Sequence, residues 1–342
     1  MTDATAMATE IRETPQVIAR FLEAERSTLE SLGTRLRALD PAVLITCARG
    51  SSDNASAYGK YLTEILLGVP VASIGPSIAS VYGAPLRMKG AAIVSVSQSG
   101  KSPDIVALQA SARRAGALAI AIVNDAASPL AREADIVLPI HAGTERSVAA
   151  TKTCLGSAAA MAALVAAWSG NAALGEALQR LPESLGRALD ADWSEAFDPL
   201  VAAQSTYVIG RGPSFPIAQE AALKLKETAV LHAEAYSSAE VMHGPLQLVA
   251  PGFPVIALRP SDAAHGPMGE TIARLTAVGA KVFAAEAGPT AAGRLSVAAT
   301  GHPFLDPLAM LTAFYGLAEK VARARGHDPD RPTQLRKVTE TV

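Results

Sequence analysis

The sequence is poor in cysteine, in aromatic residues and in runs of a single charge. It contains two cysteines, Cys47 and Cys154, and aromatic side chains make up 4% of its 342 residues. Two cysteines cannot build a disulfide framework, which favours a reducing, cytoplasmic location. The formal net charge is −2, and no basic run stands out, which argues against a nucleic-acid partner.

Segments that direct a chain to a membrane are also missing. The N-terminus, Met1-Thr2-Asp3-Ala4, has no basic stretch followed by an apolar core, so we expect no secretory signal. The most apolar long run, residues 155–168, is rich in alanine and has the length of a buried helix. We therefore expect no membrane partner. The length allows one large globular domain or two ordinary ones.

Apolar runs of strand length alternate with segments of helical spacing. After a predicted helix over residues 10–39, which Asp40-Pro41 ends, the alternation predicts parallel sheets with right-handed crossovers. Arg49-Gly50-Ser51-Ser52 and Arg211-Gly212-Pro213-Ser214 each follow a strand and precede a helix, roughly 160 residues apart. This repeat predicts a duplicated α/β domain. We divide the chain into a helical segment 1–40, a first domain 41–195, a second domain 196–326 and a tail 327–342.

A serine-rich loop follows the predicted strand at residues 91–94. Within it, Ser97, Gln98, Ser99 and Ser102 offer hydroxyl and amide groups, and Pro103 suits the first position of a helix that Ser102 can cap. A helix N-terminus and several hydroxyls suit one anion, and a phosphate monoester is the natural ligand. The alternative is an ordinary strand-to-helix loop. Neither a nucleotide-triphosphate loop nor a dinucleotide fingerprint is present in the sequence.

The second half carries acidic, basic and histidine side chains that could do chemistry. Glu220, Lys224 and Glu227 share one helix face at i, i+4 and i+7, which is also the pattern of a solvated, salt-bridged face. His243 precedes Gly-Pro on a tight turn and is the better histidine candidate. A metal site formed by His232, Glu234 and His243 matches no usual zinc spacing, so we expect no metal and no organic cofactor.

Several of these motifs together resemble the isomerase half of glucosamine-6-phosphate synthase, a tandem of sugar isomerase (SIS) domains. The resemblance covers about residues 40–342 in the same order, and the matching stretches are Gly50-Ser51-Ser52, Ser97-Gln98-Ser99-Gly100, Gly143-Thr144-Glu145, Ala150-Thr151-Lys152, residues 220–227, residues 232–236 and His243-Gly244-Pro245. It implies two tandem flavodoxin-like three-layer α/β/α domains with parallel sheets. It also implies a homodimer whose sites are shared between subunits.

The resemblance also assigns roles to single residues. It implies that Glu227 moves a proton between two sugar carbons, that His243 of the partner subunit opens the sugar ring, and that Lys337 on the C-terminal tail enters the active site. The substrate contacts that it implies, most of them to the sugar phosphate, are Gly50, Ser51, Ser52, Ser97, Gln98, Ser99, Ser102, Val148, Ala150 and Lys224.

The sequence departs from the synthase pattern at several points. Lys101 stands where the family has Glu, and Ala150 stands where it usually has Ser. The residues before the first strand are too few for a glutaminase domain, so we expect no ammonia from glutamine. Stand-alone tandem proteins of this kind resemble the second type of glucosamine-6-phosphate deaminase.

The activity that we expect is therefore conversion of glucosamine 6-phosphate and water into fructose 6-phosphate and ammonia. One alternative is an isomerase or deaminase for another amino-sugar phosphate, such as galactosamine 6-phosphate. The other is a non-catalytic phosphosugar sensor, which needs the phosphate loops but not Glu227, His243 and Lys337 together.

Overall fold

The computed structural model describes residues 4–289 and 293–337. The chain forms two compact units. The first-sheet unit comprises residues 16–145 and 152–179. The second-sheet unit comprises residues 4–15, 146–151, 180–289 and 293–337.

Each unit contains a five-stranded parallel sheet. The first sheet has the order β2-β1-β3-β4-β5 and the second the order β7-β6-β8-β9-β10, so the two share one topology. The strands are β1 (Leu44–Cys47), β2 (Val71–Ser73), β3 (Ala92–Ser97), β4 (Leu118–Val123), β5 (Ile136–Pro139), β6 (Ser205–Gly210), β7 (His232–Ser237), β8 (Pro254–Leu258), β9 (Lys281–Ala287) and β10 (Arg294–Val297). The predicted parallel, flavodoxin-like architecture and its duplication are confirmed.

Most of the helices lie between strands in sequence, as expected for right-handed crossovers, whereas α1 and α2 precede β1 and α12 follows β10. They are α1 (Ala6–Ala24), α2 (Arg26–Leu39), α3 (Ser51–Leu67), α4 (Ser77–Ser80), α5 (Pro103–Arg114), α6 (Pro129–Arg132), α7 (Lys152–Ser169), α8 (Ala172–Ala188), α9 (Phe197–Ala202), α10 (Ser214–Ala229), α11 (His265–Ala277) and α12 (Asp306–Ala324). Short 3₁₀ turns occupy Ser194–Ala196, Glu240–Met242 and Pro245–Leu248. None of the described helices has both the length and the apolar character needed to cross a membrane.

The core of the first-sheet unit explains its alanine-rich sequence. Every residue of β3 and β4 is buried, as expected for parallel strands covered on both faces. Helix α7 is also buried along almost its whole length, and it packs closely against α3. A Cβ added at Gly59 of α3 would lie 2.2 Å from the Met161 side chain of α7, so the two helices approach too closely for a larger residue there.

One predicted element is wrong in detail. The single helix expected over residues 10–39 is two helices, because α1 ends at Ala24 and α2 begins at Arg26. Between them Glu25 leaves helical geometry (φ −99°, ψ 9°), and its carboxylate lies 2.7 Å from Nε2 of His141. Apolar spacing continues through the break, so it could not reveal the break.

Candidate active site

The serine loops of the first-sheet unit lie at the point where the sheet order reverses. Strands β1 and β3 are neighbours, with Cys47 opposite Ser95, and their connections leave on opposite sides of the sheet. Ligands of open α/β sheets bind beyond the carboxyl ends of the strands at such a switch point. The topology therefore brings the turn after β1 and the start of α3, with Gly50, Ser51 and Ser52, beside the loop after β3.

The loop after β3 is held in a tight turn by its own side chains. The Gly100 N–H donates to Ser97 Oγ at 3.2 Å, and the Lys101 N–H donates to Ser99 Oγ at 3.3 Å. Gly100 has φ +61°, and a Cβ there would lie 2.2 Å from Ser128 Oγ. Glycine is required for both reasons, because the left-handed conformation disfavours a side chain and no space exists for one.

An ion pair joins the turn after β1 to the start of α5. The Arg49 guanidinium, after β1, lies 2.5 Å from the Asp104 carboxylate in the first turn of α5. The Asp104 side chain is completely buried, whereas that of Arg49 is 47% exposed. The buried Asp104 carboxylate therefore holds the Arg49 guanidinium in place at the switch point, where the Arg49 side chain remains partly exposed to solvent.

The helix that follows the serine loop begins at the predicted residue. Pro103 is its first residue and Ser102 its N-cap, but the Ser102 side chain accepts no capping hydrogen bond. The expectation that this hydroxyl caps α5 is therefore wrong. At Gly50, the N-cap of α3, there is no side chain to cap the helix. In the first turn of α5 the Ile105 N–H donates to Asp104 Oδ1 at 2.8 Å, and in the first turn of α3 the Asp53 N–H donates to the Gly50 carbonyl at 2.9 Å.

Burial perturbs two acidic groups near these loops. Burial raises the pKa of the Cys47 thiol to about 12, and the Asp104 and Asp53 carboxylates add to the effect. Burial also raises the pKa of the Asp53 carboxyl, which the Arg49 guanidinium partly opposes. The Cys47 thiol is therefore protonated at neutral pH and is a poor nucleophile.

In the second-sheet unit, three of the four charged residues of α10 form one cluster. Lys224 Nζ lies 3.4 Å from Glu220 Oε1 and donates a short hydrogen bond to Glu227 Oε2. The side chains of Glu220 and Lys224 are completely buried, and that of Glu227 is 23% exposed. The alternative of a solvated salt-bridged face is therefore wrong.

A tyrosine extends this cluster, and the sequence pattern did not indicate it. Tyr315 of α12 donates its hydroxyl to Glu220 Oε1 at 2.9 Å. Tyr315, Glu220, Lys224 and Glu227 thus form a chain from the core of the unit to a partly exposed carboxylate. The contact crosses 95 residues of sequence, so no local spacing could have predicted it.

The other predicted catalytic residues lie elsewhere in the second-sheet unit. His243 is exposed at the end of the 3₁₀ turn Glu240–Met242, and its backbone N–H donates to the Glu240 carbonyl at 3.1 Å. Lys337 lies on the tail, where its Nζ donates to the Ser147 carbonyl at 2.8 Å. Among the described residues, no hydrogen bond links His243 to Glu227.

The segment of residues 146–151 carries the two remaining predicted contacts, Val148 and Ala150. Val148 is half-buried and donates its N–H to the Asp330 carbonyl at 3.1 Å. Ala150 is half-buried. This segment therefore contacts the tail directly, since Ser147 accepts from Lys337. His232, Glu234 and His243 form no cluster that could hold a metal ion, and the same is true of the His, Cys, Asp and Glu residues throughout the described part of the chain.

Comparison with known proteins identifies one family. The SIS domain matches residues 42–167 and 200–284. A glutamine–fructose-6-phosphate aminotransferase (isomerizing) of Symbiobacterium thermophilum is 34% identical, over 97% of this chain and 58% of the relative. The enzyme of that name from Aeropyrum pernix is 35% identical, over 98% of this chain and 57% of the relative. The chain thus spans less than two thirds of the length of these curated relatives.

Solved structures match over nearly the whole chain. A Silicibacter pomeroyi protein, provisionally named a phosphosugar isomerase, is 47% identical with a TM-score of 0.91, over 96% of this chain and 100% of that one. The C-terminal domain of glucosamine-fructose-6-phosphate aminotransferase from Francisella tularensis is 27% identical with a TM-score of 0.85, over 97% and 99%. Glucosamine-6-phosphate deaminase of Thermotoga maritima, 20% identical with a TM-score of 0.79 over 98% and 100%, shares the fold.

Proposed function

Because the chain belongs to the SIS domain family, we propose that it is a phosphosugar isomerase that converts glucosamine 6-phosphate and water into fructose 6-phosphate and ammonia. The observation that carries the proposal is the α10 cluster. A buried lysine holds one oxygen of Glu227, and the carboxylate remains partly exposed, as a positioned base that contacts substrate requires.

The phosphate group of the sugar binds to the first-sheet unit in this proposal. Ser52, Ser97, Gln98, Ser99 and Ser102 supply hydroxyl and amide donors, and the N-termini of α3 and α5 add favourable dipoles. The Ser102 hydroxyl is not used to cap α5, which supports a role for it in ligand binding. Lys101 is exposed beside the loop and adds positive charge where a phosphate dianion arrives.

The proposed reaction moves one proton and then exchanges nitrogen for oxygen. His243 assists ring opening, which exposes the C1 aldehyde. Glu227 removes the proton from C2 and returns it to C1, while the amine nitrogen loses one proton and the C1 oxygen gains one, so that C1 carries a hydroxyl and C2 an imine. Water adds to the C2 imine, ammonia leaves, and the C2 ketone of fructose 6-phosphate remains. Lys337 contacts the open-chain sugar near C1 or C2. These steps need no group from outside this set of side chains, the sugar and water.

The burial of the charges favours an enzyme over a phosphosugar sensor. A sensor requires the serine loops alone, whereas a buried ion pair has a large desolvation cost and is weak evidence for stability. A buried Glu220–Lys224 pair behind a partly exposed Glu227 is therefore better explained by chemistry at Glu227. Galactosamine 6-phosphate differs from the proposed substrate only at C4, and none of the residues described above selects between the two epimers.

A substrate comparison tests the proposal. Purified protein is incubated separately with glucosamine 6-phosphate and galactosamine 6-phosphate, and both ammonia and ketose phosphate are quantified. We expect the two products to appear in equal amounts from glucosamine 6-phosphate. Isomerisation without ammonia contradicts the deaminase assignment, and binding of both sugar phosphates without any product contradicts the enzyme assignment.

We further propose that the active protein is a homodimer in which His243 of the partner subunit completes the site. The exposure of His243 is compatible with this arrangement. Mixing inactive His243→Ala and Glu227→Gln proteins under subunit exchange then restores part of the activity, because one site of a mixed dimer has both intact residues. A fully active monomer, or a mixture without any recovery, contradicts shared sites.

A further inference from the structure

A buried glutamate near the N-terminus has no role in the reaction proposed above. Glu10 lies on α1 and is 4% exposed. Its Oε2 accepts the Ser147 N–H at 3.2 Å and a short hydrogen bond from Ser147 Oγ, and its Oε1 accepts a short hydrogen bond from the Arg146 N–H. One carboxylate thus receives two successive backbone N–H groups and a hydroxyl, and such charge-assisted hydrogen bonds are among the stronger ones in proteins.

The next peptide group of the same segment is held by the C-terminal tail. The Ser147 carbonyl accepts from Lys337 Nζ at 2.8 Å, and the N–H of that peptide, on Val148, donates to the Asp330 carbonyl at 3.1 Å. Asp330 in turn accepts the N–H groups of Ala6 and Met7, at 2.7 Å each, with its carboxylate. The start of α1, residues 146–148 and the tail are therefore tied together within the second-sheet unit.

We propose that Glu10 is a positioning residue for Lys337. By fixing the Arg146 and Ser147 N–H groups, Glu10 sets the direction of the adjacent Ser147 carbonyl, which accepts from the lysine ammonium. The inference rests on the proposed function, in which Lys337 contacts the open-chain sugar. Misplacing a reacting group by about 1 Å can cost about 100-fold in rate, so a residue that never touches substrate can still control turnover.

Glu10→Gln tests the proposal, with Glu23→Gln as the matched control. The glutamine is isosteric, but its NH₂ group cannot accept one of the three donors that meet the carboxylate. Glu23 lies on the same helix and is exposed. The first measurement is the rate of reductive methylation of Lys337 by formaldehyde and cyanoborohydride, followed by peptide mass spectrometry with the exposed Lys320 as an internal reference. We expect this rate to rise at least threefold in Glu10→Gln and to stay unchanged in Glu23→Gln.

The second measurement separates positioning from substrate binding. With glucosamine 6-phosphate we expect kcat to fall about 10- to 100-fold in Glu10→Gln, while KM changes less than threefold because the phosphate contacts are intact. Unchanged labelling of Lys337 overturns the proposal, and so does faster labelling with a normal kcat. If Glu10→Gln does not fold, the labelling rate of Lys337 is measured in Ser147→Ala instead. This variant removes the hydroxyl that donates to Glu10. The labelling rate must then rise measurably for the proposal to stand.

Failure of this inference and failure of the proposed function give different results. Labelling requires no turnover. If the wild-type protein converts neither amino-sugar phosphate but Glu10→Gln still accelerates labelling, Glu10 positions Lys337 and the proposed reaction is wrong. If the wild-type protein is active and Glu10→Gln matches Glu23→Gln in both measurements, the positioning role is wrong and the reaction stands.

Discussion

Replacing Lys224 by methionine removes the one cation of the α10 cluster and leaves Glu220 buried beside Glu227. The Lys224 and Glu220 side chains are both 0% exposed, with Nζ and Oε1 3.4 Å apart. At that distance, Coulomb's law with an effective dielectric constant of about 20 gives an attraction of about 5 kcal/mol. Breaking a buried pair from one side typically costs about 3–5 kcal/mol, because the other charge loses its counter-ion. We expect the free energy of unfolding of the second-sheet unit to fall by about that amount at pH 7.

Urea unfolding followed by Trp fluorescence measures this loss. Trp193 is buried in the second-sheet unit and Trp168 in the first-sheet unit, so a Trp168→Phe background reports the second-sheet unit. The control is Lys226→Met, which removes an exposed lysine from the same helix and is expected to change stability by less than about 0.5 kcal/mol.

A double variant identifies the cause of the loss. Glu220→Gln with Lys224→Met removes both charges of the buried pair, so we expect most of the lost stability to return, as in double-mutant cycles of coupled residues. If Lys224→Met costs no more than Lys226→Met, the ion pair does not stabilise the unit. If the double variant is as unstable as Lys224→Met, the loss comes from packing of the lysine chain and not from an unpaired charge.

Two further predictions concern the first-sheet unit. The folded state raises the pKa of Cys47 from 9.0 to about 12, so the unfolded chain releases the proton first and stability should fall by about 1.4 kcal/mol per pH unit as pH rises from 9 to 12. Urea titrations over that range should show a shallower fall in Cys47→Ala, and an equal slope would contradict burial of the thiol. Gly100→Ala should weaken fructose 6-phosphate binding at least tenfold by calorimetry, through its left-handed φ and its clash with Ser128. The control is Gly90→Ala. Gly90 has φ +78°, and no atom lies within 4 Å of the added Cβ, so this variant has only the conformational cost of the left-handed backbone. Equal losses of fructose 6-phosphate affinity in the two variants would contradict the argument that the clash with Ser128 weakens binding.

The fold could be predicted from the sequence because its signals are local. Apolar runs such as residues 118–123, all buried in β4, identify strands of a parallel sheet without any tertiary information. Pro103 and Asp104 mark the start of α5 at the observed residue. The Arg-Gly turns at Arg49 and Arg211 revealed the duplication, which the two sheet orders confirm.

Only part of the candidate site could be predicted from the sequence, because the contacts that the sequence did not reveal join residues far apart in the chain. The helical spacing placed Glu220, Lys224 and Glu227 on one face, but it could not show whether that face was buried. The hydroxyl of Tyr315 and the carboxylate of Glu10 meet their partners 95 and 137 residues away.

The C-terminal tail shows the same limitation. Its sequence offers Leu335 and Val338 as apolar anchors, but Leu335 is 43% exposed and Val338 lies outside the described residues. Hydrogen bonds of Asp330 and Lys337 hold the described part of the tail instead.

The central claim is that Glu227 transfers the proton between C2 and C1, and turnover of Glu227→Gln tests it most directly. The measurement is kcat for ammonia release from glucosamine 6-phosphate, beside calorimetric binding of fructose 6-phosphate, with the exposed Glu240→Gln as control. We predict a loss of about 10²- to 10⁴-fold in kcat, unchanged phosphosugar affinity, and normal activity in Glu240→Gln. A Glu227→Gln protein that keeps kcat within about threefold of the wild type would contradict the account.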